Sequence, residues 1–278
     1  MLNFSVGGIP MLRLLRCACS TVLILQFSGP ALPQQTSQIV QRDPQALAAI
    51  SQVAIVTGWT PGSLPNTLIA SGTFTRFNGD QQHTESFSIK QRGPSQHRVD
   101  LQDNGATTTT VVNGLAGTIR FFDGTKQRLP AHAALSIQSP AFPFLSDLMS
   151  AADPSVEIQN LGTNTINGTA CQGVRIVRLA KSDDKLARFR DLAAPLKVWI
   201  SLQTFLPVRI DFIRLAADNP YLAMHFSRSF SDYRVVNGIA IAFQQDESFE
   251  GQLMYRFQFA NVQFNAAVVD ADFDSSKL

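Results

Sequence analysis

Alternation of apolar and polar residues along the C-terminal third of the chain limits its possible folds more than any other feature. Leu253, Tyr255, Phe257 and Phe259 fall on every second position, and the same period recurs around Phe212 and at 222–226. A period of two is typical of a β-strand with one buried face. The pattern therefore predicts a large sheet whose buried face is rich in Phe.

Further strand-like stretches precede these, separated by turn signals such as Asn104-Gly105 and Asn237-Gly238. We expect strands at 68–77, 84–91, 97–103, 107–112, 117–122, 156–161, 171–179, 196–202, 206–215, 222–233, 239–249 and 253–264. No helix-length pattern alternates with them, so an antiparallel sheet is expected and a parallel one is not. The predicted fold class is mainly β with a few helices.

Helices are predicted at three places. Asp43-Pro44 is a helix-start signal, and Gly58 marks the end of the helical spacing that follows. The pair Asp183 and Asp184 suits the start of a second short helix better than an acid–base pair, because acidic residues favour helix N-termini. The third place is the segment 130–154, where four prolines separate the apolar pieces 131–137 and 142–149. We interpret these pieces as short helices across the sheet, which leaves open whether they form a movable lid or a fixed core plug.

The N-terminal segment has the order of a secretory signal. Arg13 and Arg16 precede an apolar run at 17–27, then small residues, then polar Gln34. The run is shorter than the roughly 20 residues that a membrane span requires. We expect a signal peptide at 1–33 and one domain at 34–278, secreted or periplasmic and without a membrane-spanning segment. An uncleaved interfacial anchor is the alternative.

Charge and cysteine content exclude several classes of function. The net charge of +2 comes from the two arginines of the leader, so the remainder is neutral and offers no basic surface for nucleic acid. Cys171 is the one cysteine beyond the leader, and we expect a small buried residue there. His83, His97, His132 and His225 lack metal-ligand spacing, and no G-x-S-x-G motif or phosphate loop is present. We therefore expect no enzyme, no metal and no cofactor; a secreted hydrolase would need a clustered acid, base or nucleophile.

Phenylalanine is the positive signal for binding. The chain has 20 of them, and alternation would place many on one surface. The candidate residues for binding a hydrophobic ligand are Phe74, Phe87, Phe121, Phe142, Phe144, Phe212, Phe226, Phe257 and Phe259. The alternative is that these rings only fill the core of a closed barrel.

Several segments, in order, resemble the LolA family of periplasmic lipoprotein carriers. FSIKQRGP at 87–94 with HRVD at 97–100 resembles the K-R-P strand–turn–strand segment, and TTVVNG at 109–114 with TIRFFD at 118–123 resembles the next hairpin. VWI at 198–200 with TFLPVRI at 204–210 is similar to the W-I-D…T-x-L-P-x-R segment. FSDYRVVNGI at 230–239 is similar to a hairpin of related secreted proteins.

The resemblance implies a single curved antiparallel sheet, an incomplete β-barrel covered by short helices, whose concave surface takes a lipid or acyl chain. It also implies that Arg92, at the position of the K-R-P arginine, latches the lid to the sheet; an ordinary exposed turn arginine is the alternative. The sequence departs from the carriers in its extra length near 155–195 and in Arg120 within the hairpin. An envelope protein-interaction or stress-sensing module on the same fold is the second interpretation.

Overall fold

A single antiparallel sheet dominates the structure, a computed structural model that describes residues 40–59, 65–137, 152–178 and 184–278. The described residues form 13 strands. They are β1 (Thr67–Asn78), β2 (Gln81–Arg92), β3 (Gln96–Asp103), β4 (Ala106–Asn113), β5 (Ala116–Arg120), β6 (Lys126–Leu129), β7 (Val156–Ile166), β8 (Thr169–Arg178), β9 (Leu196–Ser201), β10 (Pro207–Leu215), β11 (Ala223–Val236), β12 (Ile239–Phe249) and β13 (Gln252–Phe264).

The strand order shows that this sheet is not closed. It runs β6-β5-β4-β3-β2-β1-β13-β12-β11-β10-β9-β8-β7, so the first and last strands pair in the middle. Two meanders, β1–β6 and β7–β13, meet along the β1–β13 pair, while β6 and β7 are the edge strands. Residues 41–43 add a short parallel bridge to β7 at Ile158. This arrangement confirms the predicted fold class, a mainly β chain with one open antiparallel sheet and a few helices.

The helix α1 (Pro44–Thr57) covers part of one face of the sheet. Asp43 Oδ1 accepts hydrogen bonds from the N–H groups of Gln45 and Ala46, so the predicted N-cap is confirmed. Gly58, with φ of 74°, ends the helix, and a Cβ at Gly58 would lie 2.2 Å from the carbonyl oxygen of Gly238. Only glycine lets the helix end this close to the β11–β12 turn. We call the face under α1 the inner face and the opposite one the outer face.

Two shorter helices lie near the open side of the sheet. The helix α2 (Ala131–Ser136) contacts both β5 and β10, so it spans the two meanders. The helix α3 (Ala187–Ala193) contacts α2 and β10, and Asp184 accepts from the N–H of Leu186 just before it. The predicted helical piece at 131–137 is thus confirmed, whereas 142–149 and Asp183 lie outside the described residues.

The C-terminal residues pack on the outer face instead of continuing the sheet. Two short 3-10 helices, Asp270–Phe273 and Ser275–Lys277, contact β3, β4 and β5. Phe273 and Leu278 are buried there. Cys171 is buried in β8, as predicted, and burial raises the pKa of its thiol.

Most predicted strands agree with the structure to within a few residues, and the differences have physical reasons. The edge strand β6 was not predicted, because only Leu129 among its four residues is buried and no alternation results. β7 continues past the predicted end to Ile166 through exposed, uncharged residues and a bulge between Asn160 and Gly162.

Candidate ligand-binding face

Phenylalanine rings from neighbouring strands meet on the inner face. Phe74 and Phe257 are register partners on β1 and β13, with ring centroids 4.7 Å apart. Phe87 on β2 makes edge-to-face contacts with Phe257 at 5.5 Å and Phe259 at 5.2 Å. Such offset and edge contacts are the favoured geometries of aromatic pairs, so this half of the inner face is a connected aromatic surface.

A second aromatic group lies further along the same face. Phe212 on β10 stacks on Phe226 of β11 at 5.9 Å, and Phe226 contacts Phe249 of β12 at 5.1 Å. Phe212 belongs to the same apolar cluster as Phe74 and Phe257, and Phe226 packs against it. The inner face therefore carries Phe on both meanders, and α1 contributes Ala and Val side chains to that cluster.

The structure brings together six of the candidate residues: Phe74, Phe87, Phe212, Phe226, Phe257 and Phe259. Phe121 is elsewhere, half-buried in the turn after β5, where its N–H donates to the carbonyl of Thr125. Phe142 and Phe144 lie outside the described residues. Phe230 and Phe243 join the cluster without having been singled out, although their places in strands β11 and β12 made them accessible to the same alternation argument.

A buried ionic cluster lies among these rings. Glu247 on β12 accepts two hydrogen bonds from Arg214, at 2.6 and 2.9 Å, and others from Arg228, its register partner on β11. Arg228 and Glu247 are each 1% exposed. The guanidinium of Arg214 lies 4.5 Å from the ring centroid of Phe226, a cation–π contact. The aromatic face is thus divided by a fixed polar group.

Burial and the two cations act in opposite directions on this cluster. Burial alone would raise the pKa of Glu247, but Arg214 and Arg228 outweigh it and lower the pKa to about 2. Burial lowers the pKa of Arg228, an effect that the charge of Glu247 opposes. Sequence reasoning missed the cluster. A sequence signal for it exists, because Arg214 and Arg228 each stand two positions after an inward-facing Phe and therefore face the same side of the sheet.

His97 is a further polar residue on the inner face. It lies on β3 opposite Val112 of β4 and is 2% exposed, with no hydrogen-bond partner for either ring nitrogen among the described residues. Burial lowers its pKa to about 4, so the ring is neutral near pH 7. The register partner of His97 on β2 is Gln91, which is buried as well.

The inner face is covered in this structure. The clustered rings of Phe74, Phe87, Phe212, Phe257 and Phe259 are each no more than 7% exposed. Two polar contacts hold α2 to the end of β10. The N–H of Leu215 donates to Ser136 Oγ at 3.1 Å, and His132 Nε2 lies 3.0 Å from the carbonyl oxygen of Ala216. The helix α1 packs on the apolar cluster that holds these rings, whereas α2 packs on a smaller cluster with Val112 and Leu129.

Arg92 lies on the outer face, because it follows the inward-facing Gln91 on β2. Its guanidinium donates to Asp270 at 2.6 Å and to the carbonyl of Val268 at 3.2 Å, and stacks over the ring of Phe273 at 5.2 Å. These contacts join β2 to the C-terminal segment. The lid-latch role of Arg92 stays a prediction.

Several solved structures share this architecture. A putative outer membrane lipoprotein-sorting protein domain from Vibrio parahaemolyticus matches with a TM-score of 0.56 at 10% identity, over 84% of this chain and 97% of that one. A DUF1329 family protein from Desulfovibrio piger matches with a TM-score of 0.57 at 13% identity, over 85% and 100%. A LolA superfamily protein from Nitrosomonas europaea matches with a TM-score of 0.53 at 10% identity, over 84% and 99%.

Comparison at the level of sequence gives no match. No protein-family model and no curated protein matches the chain. None of the helices within the described ranges is long and apolar enough to cross a membrane. At such low identity the structural likeness shows the fold, which is LolA-like.

Proposed function

We propose that this chain with a LolA-like fold binds a hydrophobic ligand, a lipid or acyl chain, in the cell envelope without catalysing a reaction. The observation that carries the proposal is the open sheet whose inner face carries two groups of Phe rings within one apolar cluster. The likeness to the lipoprotein-sorting domain from Vibrio supports the same class of ligand.

Binding on this face would replace helical side chains that pack on the Phe rings with the apolar chain of the ligand. A chain that displaces helical side chains from the Phe rings buries apolar area worth roughly 25 cal/mol per Å², less the cost of moving the cover. The helix α2 is the suited part to move, because it has six residues and bridges the two meanders. Uptake would then open the molecule where the sheet itself has no strand pairing.

The leader fits this function. We propose that residues 1–33 are a signal peptide that is removed on export, leaving one domain at 34–278. Expression of the full chain in a bacterium, followed by N-terminal sequencing of the periplasmic product, tests both statements. A product that retains Arg13 and Arg16 would contradict the signal peptide.

Native extraction tests the binding function directly. The full chain is purified from the periplasm without detergent and extracted for lipid mass spectrometry, and a fluorescent fatty acid is titrated in parallel. We expect a stoichiometric lipid or micromolar binding of the probe. An empty protein that also fails to bind the probe contradicts the proposal and favours the envelope-interaction alternative.

Matched variants test whether the ligand binds on the inner face. Phe87→Leu and Phe226→Leu remove part of two rings while keeping the sites apolar. We expect each to weaken probe binding about fivefold, in proportion to the lost contact area. Phe122→Leu is the control, because Phe122 is 72% exposed in the β5–β6 turn. Equal effects from all three variants would place the probe elsewhere.

A further inference from the structure

A cleft of about 530 Å³ opens between α1 and the strands β7, β8 and β9 at one end of the inner face. Thr163, Gln172 and Ile200 form part of its floor, since they are register partners across the three strands. The wall is one side of α1, where Gln45, Ala49 and Gln52 recur at helical spacing. The cleft has the volume of a small-molecule site.

The lining of this cleft is mostly apolar, carries no charge and includes four side-chain amides. Its side-chain amides are those of Gln45, Gln52, Asn160 and Gln172. Asn160 Nδ2 donates to Gln45 Oε1 at 2.8 Å, which fixes two of them. The amides of Gln52 and Gln172 have no hydrogen-bond partner among the described residues. Each free amide offers two donors and one acceptor oxygen, so the cleft can bind groups that both donate and accept.

The rim of the cleft holds an aromatic ring in an uncommon backbone conformation. Phe205 has φ of 56°, in the left-handed region, and its side chain is 39% exposed. Its N–H donates to the carbonyl of Ser201 at 2.9 Å, and Ser201 Oγ accepts from the backbone of the same turn. Holding a non-glycine residue in this conformation, with a large apolar side chain partly exposed to water, costs free energy, and such residues cluster at functional sites.

Two apolar residues of the cleft also belong to the core. Ile200 and Ala49 line the cleft and also belong to the apolar cluster with the Phe rings. Amides and apolar side chains therefore alternate along the lining, since Gln172 is the register partner of Ile200 and Ala49 lies between Gln45 and Gln52 on α1. A sugar or polyol, which has hydroxyl groups next to apolar carbons and no charge, is complementary to such a mixed surface.

We propose that this cleft binds a neutral, hydroxyl-rich group, a sugar or polyol, at the head of an apolar chain. The hydroxyls would exchange hydrogen bonds with the amides of Gln52 and Gln172, and the ring carbons would pack on Phe205. An anionic head finds no cation in the lining. The part of this proposal that concerns the apolar chain rests on the proposed function. The part that concerns the head group rests on the cleft alone.

Calorimetric titration with small amphiphiles below their micelle concentrations tests the assignment. The probes are octyl β-glucoside, 1-octanol, octanoate and methyl β-glucoside, which separate the head from the chain. We expect octyl glucoside to bind at least tenfold more tightly than octanoate or 1-octanol. Equal affinities for octyl glucoside and octanoate would overturn the proposal.

Variants of cleft residues test whether the head group of the ligand binds there. Gln52→Leu and Gln172→Leu should each weaken octyl glucoside about three- to tenfold, the usual worth of one hydrogen bond, and leave 1-octanol unchanged. Gln102→Leu, at an exposed position on β3, is the control. If neither cleft variant changes octyl glucoside binding, the cleft is not the site.

The same titrations distinguish this inference from the proposed function. Binding of 1-octanol and octanoate with no preference for the glucoside leaves a hydrophobic-ligand protein and overturns the headgroup assignment. Binding of methyl β-glucoside that is lost in Phe205→Ala, without any binding of 1-octanol, supports the cleft as a free-saccharide site and contradicts the proposed function.

Discussion

His97 shows how a single buried side chain makes the stability of this fold depend on pH. Its pKa is about 4 in the folded protein and about 6.5 when unfolded. Between these values the unfolded chain binds the proton and the folded chain does not, so the free energy of unfolding falls as the pH falls from 6.5. At pH 4 the loss from this one group is about 3 kcal/mol.

His97→Leu removes that proton-binding difference. We expect the free energy of unfolding of this variant to fall less between pH 7 and pH 4, by about 3 kcal/mol, in urea titrations followed by circular dichroism. The exposed His225, replaced by Gln, serves as the control. An unchanged pH dependence in His97→Leu would mean that the folded protein accommodates the charged ring.

Glu247 contributes to stability through its charge, which neutralises the cations Arg214 and Arg228. Glu247→Gln removes the counter-charge that Arg214 and Arg228 share, in a place where water cannot replace it. The expected cost is about 3–5 kcal/mol. Asp246→Asn is the matched control, since Asp246 is the adjacent residue and pairs with the partly exposed Arg256, where a loss of no more than about 1 kcal/mol is expected. Similar losses in both variants, measured by urea unfolding, would contradict the assignment.

At the scale of elements, the strands were predictable and their partners were not. Alternation is a local property, so β12 was placed correctly from residues 239–249 alone. The pairing of β1 with β13 joins residues nearly two hundred positions apart, and no local pattern encodes it. The Phe candidates could be predicted by parity, but the Arg214–Glu247–Arg228 cluster required knowing that β10, β11 and β12 are neighbours.

The C-terminal segment is an element that depends on a few outer-face contacts. Lys90 and Arg92 bind Asp272 and Asp270, and Phe273 is buried at 1% exposure. Phe273→Ala should cost about 3–5 kcal/mol, as for other buried aromatic rings. Arg92→Leu should cost about 1 kcal/mol, because its ion pair is exposed.

Hydrogen exchange and probe release measured on Arg92→Leu separate the two roles of this arginine. Faster exchange confined to residues 266–278, with ligand release unchanged, would identify Arg92 as the clamp of the C-terminal segment. A changed release rate would support the lid latch that the sequence resemblance predicts.

At the scale of the whole molecule, the two meanders depend on one another through the β1–β13 pair. Gly72 lies at the register shift of that pair, and a Cβ on Gly72 would be 2.0 Å from the carbonyl oxygen of Gln258. That neighbour is backbone in the middle of the sheet and cannot move aside without breaking the pairing. Since both meanders contribute Phe rings to the inner face, two from β1 and β2 and the rest from β10–β13, we expect damage here to weaken both.

Gly72→Ala should therefore lower the free energy of unfolding by more than about 3 kcal/mol, as overpacking against rigid backbone does. In Gly117→Ala the new methyl group would meet the side chain of Leu129 at an edge strand, which can turn away, so about 1 kcal/mol is expected. Hydrogen exchange in Gly72→Ala should accelerate on β2 and β3 as well as on β8 and β9. Acceleration confined to one meander would show that the halves are stable independently, and the inner face would then be two surfaces instead of one.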